Sequence, residues 1–97
     1  KKISDLPSSI RDVSFLLNQK KLIEILDNKL LSYKSDNLKK IFIFDFYEKN
    51  SKNIKIGYRF IFQSDKYTLT VDQVDNEINK ILSIATKIVG INVPGLN

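Results

Sequence analysis

The sequence has no Cys and no His. Without Cys there is no disulfide and no thiolate ligand. Without His, the familiar zinc sets and the Ser-His and Cys-His nucleophile arrangements are also excluded. The lack of Cys fits a reducing cytoplasm but leaves the compartment unconstrained, an organelle matrix or plastid stroma being the alternative. Long apolar runs are missing: none approaches the roughly 20 residues that cross a bilayer as a helix, so no membrane partner is expected. The opening KKISDLPSS is basic but carries no apolar stretch, unlike a secretory leader. Position 1 is Lys rather than Met, which reads as a piece of something longer. No Gly-rich phosphate loop is present. Asp72, Asp75 and Glu77 sit together, but in the first turns of a helix, where acids suit the helix dipole. No catalytic residue and no metal ligand is assigned, and a self-contained enzyme is not expected.

What the chain does have is enough apolar material for a core. Its 97 residues are 42% hydrophobic, which suits one domain spanning 1–97. Lys and Arg outnumber Asp and Glu 16 to 11, a net charge of +5. That surplus fits either a footprint for phosphate backbones or a Lys-rich composition with no anionic partner.

After a polar lead holding Pro7, Val13, Phe15 and Leu17 alternate with Asp12, Ser14 and Leu16, which predicts a half-buried strand over Ile10–Leu17. Leu22, Leu26 and Leu30, widened by Ile23, Ile25 and Leu31, predict an amphipathic helix over Lys20–Tyr33 with Asn18 as N-cap. A polar connection, Ser32–Asn37, follows. The next strand is expected over Ile41–Tyr47, with Phe42, Phe44 and Phe46 on the core face and Ile41, Ile43, Asp45 and Tyr47 on the other. Glu48–Asn53 reads as a mobile loop. In Ile54–Gln63 the alternation is clean, with Ile54, Ile56, Tyr58, Phe60 and Phe62 inward and Lys55, Gly57, Arg59, Ile61 and Gln63 outward. Gly57 in mid-strand marks close approach by another backbone or a ligand. Thr70 and Gln73 form a capping-box pattern opening a helix over Val71–Val89, with Gly90 as its C′ residue. Ile91–Val93 is a short edge strand, stopped by Pro94 and Gly95.

The order β-α-β-β-α-β predicts an α+β, ferredoxin-like sandwich: one antiparallel sheet with two helices on one face. The other face is open and holds the odd polar residues. RNA-recognition motifs share this topology and stack bases on aromatics of the two central strands. Here those strands offer no outward aromatic, and only Tyr47 next door does. Asp45 and Tyr47 together suit selective contact with one or two bases, the carboxylate accepting from guanine and the ring stacking on it. Strand-edge solubility and a satisfied hydroxyl explain the same two residues without a ligand. Arg11 reads as an ion-pair partner of Asp12 or Asp45.

Five stretches in order, LPSSIRDVSF (Leu6–Phe15), IFDFYE (Ile43–Glu48), IGYRFIFQS (Ile56–Ser64), TLT (Thr68–Thr70) and QV (Gln73–Val74), resemble the ferredoxin-fold anticodon-binding domain of phenylalanyl-tRNA synthetases. The likeness is greatest to the domain that closes the bacterial-type β subunit. The resemblance implies a domain that binds the anticodon of tRNA(Phe), chiefly its wobble guanine, through Asp45 and Tyr47. Lys55 and Arg59 would bind phosphate or support the base from the neighbouring strand. Lys55 stands where the family has Ser, Pro94 where bacterial β chains have Arg, and Lys66 and Gln73 replace an Arg and a Glu. The resemblance also implies no cofactor in this domain, with ATP and Mg²⁺ used elsewhere in the parent enzyme. Further partners are the rest of the synthetase chain and its α subunit. A generic ferredoxin-fold RNA-binding module and a protein-interaction or small-ligand domain are the alternatives.

Overall fold

The computed structural model describes residues 6–94; the first five residues and Gly95, expected to help stop the last strand, lie outside them. The elements are β1 (Ser9–Leu17), α1 (Leu22–Ser32), β2 (Leu38–Asn50), β3 (Asn53–Phe62), α2 (Val71–Thr86) and β4 (Ile91–Asn92). The strands form one sheet in the order β2-β3-β1-β4, and every neighbouring pair is antiparallel. This is the ferredoxin-like α+β arrangement.

Strand β3 lies inside the sheet, and its alternation works as expected. Ile54, Ile56, Tyr58, Phe60 and Phe62 are all buried. They meet Phe15 and Leu17 of β1, Leu22, Leu26 and Leu30 of α1, and Val74, Ile81 and Ala85 of α2 in one core. Phe15 and Tyr58 touch edge to face, with ring centroids 5.9 Å apart. The buried Tyr58 hydroxyl donates to Asp27 at 2.8 Å. Desolvation, reinforced by that acidic acceptor, pushes the phenol above its ordinary value.

Strand β2 departs from the expected pattern. It is longer than Ile41–Tyr47, and its pairing with β3 shifts register between Leu38 and Lys40, Ile43 and Asp45, and Glu48 and Asn50. Each shift inserts an extra residue and resets the two-residue alternation. Ile41 and Ile43 pair with the inward Phe60 and Tyr58 and face the helices, whereas Phe42 pairs with the outward Arg59. After the shift at Phe44, Asp45 pairs with Gly57 and Tyr47 with Lys55, so both lie on the open face, and Phe46 pairs with the inward Ile56. The expected Phe core face is therefore split: Phe42 and Phe44 lie outside, and Phe46 is on the inward side of the edge strand but 49% exposed. Irregularity and exposed lysines on an edge strand also discourage pairing with other chains.

The expected loop is smaller than Glu48–Asn53. Strand pairing continues to Asn50 and Asn53, leaving Ser51 and Lys52 as a tight turn. The Asn50 side chain holds it, accepting from the Lys52 N–H and the Asn53 amide, both at 2.9 Å.

Thr70 and Gln73 form the reciprocal capping box of α2, as the spacing predicts. The helix stops at Thr86 rather than Val89, and Gly90 follows a further turn at φ +99°. A Cβ at Gly90 would sit 2.5 Å from Asn18 Oδ1. Asn18 is not the N-cap of α1; its N–H donates to the Gly90 carbonyl at 3.1 Å, and Lys21 occupies the cap without a side-chain bond. Arg11 pairs not with Asp12 or Asp45 but with Asp75 of α2 at 3.4 Å. Glu77 does more than suit a dipole. It accepts from Tyr33 at 2.5 Å, Ser35 at 2.9 Å and Asn37 at 3.2 Å, fastening the α1–β2 connection to α2. Partial burial opposes its charge, but these donors and Lys80 outweigh that and hold the carboxyl below its ordinary value.

Candidate nucleic-acid interface

The face of the sheet away from the helices is laid out by cross-strand pairing. Asp12, Arg59 and Phe42 form one row across β1, β3 and β2. Ser14, Gly57 and Asp45 form the next. Leu16, Lys55 and Tyr47 form the third, which Asn92 of β4 extends. Neighbouring strands lie about 4.8 Å apart, so residues within a row and in adjacent rows can touch one ligand.

Gly57 sits at the centre because of what lies beside it. A Cβ there would come within 2.9 Å of the Phe44 ring and 3.2 Å of the Asp45 Cβ. The missing side chain admits the ring of the bulged residue, so the close neighbour is a side chain rather than the backbone or ligand expected there.

Asp45 is exposed, and its carboxylate has no ion-pair partner among the described residues. Tyr47 is 59% exposed, two positions along the same strand. Lys55 stands opposite Tyr47 and lies between two hollows. One, of about 420 Å³ at the hairpin end, is lined by Leu16, Tyr47, Lys49, Lys52 and Asn92 among others. The second, of about 480 Å³, includes Asp12, Ser14, Val93 and Pro94.

Arg59 is committed elsewhere. Its Nε and Nη2 donate to the two Asp12 oxygens at 2.8 and 3.0 Å, a two-point pair across the strands. This bonding holds the Asp12 carboxyl below its ordinary value. The guanidinium also lies 5.0 Å from the Phe44 ring centroid. The four sequence-predicted residues therefore share one face, with Asp45, Tyr47 and Lys55 clustered and Arg59 one row away under an internal partner. The expectation that Tyr47 is the lone aromatic there fails, because Phe42 and Phe44 join it.

The model of the ferredoxin-fold anticodon binding domain matches residues 4–93 of the chain. The chain belongs to that family. Curated relatives are beta subunits of phenylalanine–tRNA ligase. The one from Sulfurimonas denitrificans is 26% identical over 95 residues, covering 96% of this chain and 12% of its own length. The chloroplastic one from Gracilaria tenuistipitata var. liui is 27% identical over 85 residues, covering 82% and 12%. That from Chlamydia caviae is 27% identical over 81 residues, covering 80% and 10%. The chain thus spans about a tenth of the length of these relatives.

For a domain of this family, the open face offers hydrogen-bond acceptance from Asp45, a ring face from Tyr47 and positive charge from Lys55. No group of acidic side chains that could hold a metal ion occurs among the described residues. No helix there is long and apolar enough to cross a membrane.

Proposed function

We propose that the chain binds the anticodon loop of tRNA(Phe) on its open sheet face and supports charging of that tRNA by a larger phenylalanine–tRNA ligase. Asp45 accepts from the ring N–H and amino group of the wobble guanine, and Tyr47 stacks on the base. Lys55 contacts the adjoining phosphate. Arg59 supports the site from the neighbouring strand, with Asp12 fixing its plane. ATP, Mg²⁺ and phenylalanine belong to other domains of the ligase chain or to its alpha subunit, and residues 1–97 act as one module. The cytoplasm is the proposed compartment, with a plastid stroma as the alternative.

The observation that carries this reading is the Asp45 carboxylate, without an ion-pair partner among the described residues, one row away from the exposed Tyr47 ring and the Lys55 that pairs with it across the strands. An exposed acid on a basic sheet face that no described cation pairs with is poised to accept from a neutral donor edge such as guanine's. Lys49 and Lys52 in the adjoining hollow favour a second reading, sequence-independent RNA binding. Titration of the chain with anticodon stem-loops at low salt tests both. The expected result is preference for a loop with guanine over one with adenine at the wobble position. Equal affinity for both selects the second reading, and no binding to either removes both. The salt slope should be shallow, reflecting only a few phosphate contacts.

A further inference from the structure

The open face carries a second feature that guanine recognition leaves unused. Phe42 and Phe44 are 39% and 43% exposed there, continuing along β2 from Asp45 and Tyr47. Each ring has a cation: Lys40 Nζ lies 6.0 Å from the Phe42 centroid and Arg59 Cζ lies 5.0 Å from that of Phe44. Exposed phenylalanines on an edge strand invite association, so their retention on this face calls for a ligand. Two features favour RNA over an apolar protein surface. The rings are interleaved with Lys40 and Arg59, and Lys55 stands at the far end of the same face. The Asp12 charge, which would repel phosphate, is already met by Arg59. A guanidinium plane held against an aromatic ring is itself a surface on which bases stack.

We propose that Phe42 and the Arg59–Phe44 pair form a stacking platform for unpaired bases next to the wobble guanine, so that the anticodon runs as a single strand along β2. Two residues of a strand cover about 6.7 Å, a step that suits successive splayed-out bases. The proposal rests on the anticodon reading above and extends it from one base to its neighbours. Phe44 owes its place to the bulge and to Gly57, so the platform depends on backbone features as well as on the rings.

The test is fluorescence titration of the chain with a labelled stem-loop carrying the G-A-A anticodon. Abasic sugars replace, one at a time, the nucleotides on either side of the guanine. Removal of at least one neighbouring base should weaken binding roughly tenfold, in line with the usual value of one base on an aromatic platform. Phe42→Leu and Phe44→Leu keep an apolar side chain but remove the ring. At least one should weaken binding to the intact loop roughly tenfold and then show no further loss with the abasic loop. Unchanged affinity for both abasic loops overturns the proposal, and needs no variant to be folded. Full affinity in both Leu variants overturns it too, and points to a protein on this surface. Replacing the guanine by adenine separates the two ideas. If that change has no effect while the abasic loss persists, the guanine reading fails and the platform stands.

Discussion

Strands β2 and β3 belong to one hairpin and share a hydrogen-bond ladder, yet they treat apolar side chains in opposite ways. In β3, Ile54, Ile56, Tyr58, Phe60 and Phe62 are all buried. In β2, none of the 13 residues is buried, although the strand holds three phenylalanines and two isoleucines. The difference is position. An inner strand beneath two helices turns apolar content into core, whereas an edge strand with a neighbour on one side only turns it into surface. Phe60→Ala should therefore destabilise the chain by about 3–5 kcal/mol. Phe46→Ala, chemically the same change one strand over, should cost less than about 1.5 kcal/mol. Urea denaturation of both variants checks this, and equal losses would break the contrast.

The next effect concerns what ties the second strand's approach to the helices. Glu77 gathers Tyr33, Ser35 and Asn37 just before β2 begins. Glu77→Ala should cost about 2 kcal/mol, since hydrogen bonds to a charged acceptor are lost and a part-buried hydroxyl is left over. The pH dependence has a definite sign. The folded carboxyl titrates below the ordinary 4.5, so its contribution is complete above that value and disappears as pH falls through the lower folded value. Glu77→Gln should flatten part of this acid limb in thermal melts, with Asp12, also held low, retaining the rest. At the other end, Tyr33 and Tyr58 are both raised above 10.0, so stability should also fall as pH climbs beyond that value.

A smaller effect probes the bulge. Gly57→Ala would place a Cβ 2.9 Å from the Phe44 ring, which must swing aside. The cost should be about 1–2 kcal/mol, because the ring is half-exposed and has room to move. Near-ultraviolet and NMR signals of Phe44 should shift while those of the buried Phe15 and Phe60 stay in place. Changes spread through the core would mean that Gly57 serves packing on the helix side instead.

The same contrast explains what was legible in the sequence. The element order, the β3 core face and the Thr70 capping box follow from periodicity and local chemistry that the structure keeps. In β2 the run IFIFDFY is apolar on both sides, so alternation alone offers no phase. The phase from Asp45 and Tyr47 is right only beyond the bulge at Phe44. Before the bulge it is inverted, which is why Phe42 and Ile43 exchange faces. The one hint was Gly57: a strand glycine implies a close neighbour, though not which one. The partners of Arg11 and Glu77 could not be read because they lie 40 to 64 positions away in sequence, between β1 and α2 for Arg11 and between the α1–β2 connection and α2 for Glu77.

The smallest expected change in stability bears on function. Asp45 lies on the open face, exposed and with no ion-pair partner among the described residues, so Asp45→Ala should leave stability within about 0.5 kcal/mol of the parent chain. If Asp45 reads guanine, the same substitution should remove about 1–3 kcal/mol of discrimination between guanine and adenine loops. The two measurements together are stronger than either alone. A residue that serves the fold loses stability and affinity together, through a smaller folded fraction, and loses affinity for every RNA equally. A residue that serves recognition leaves the melt unchanged and narrows the gap between the two loops. Arg59→Lys supplies the opposite pattern for comparison. It keeps the positive charge but breaks the two-point bond to Asp12, so it should disturb the Phe44 ring and weaken both loops alike. If Asp45→Ala behaves like Arg59→Lys, the carboxylate is part of the face's internal framework and the guanine contact lies elsewhere.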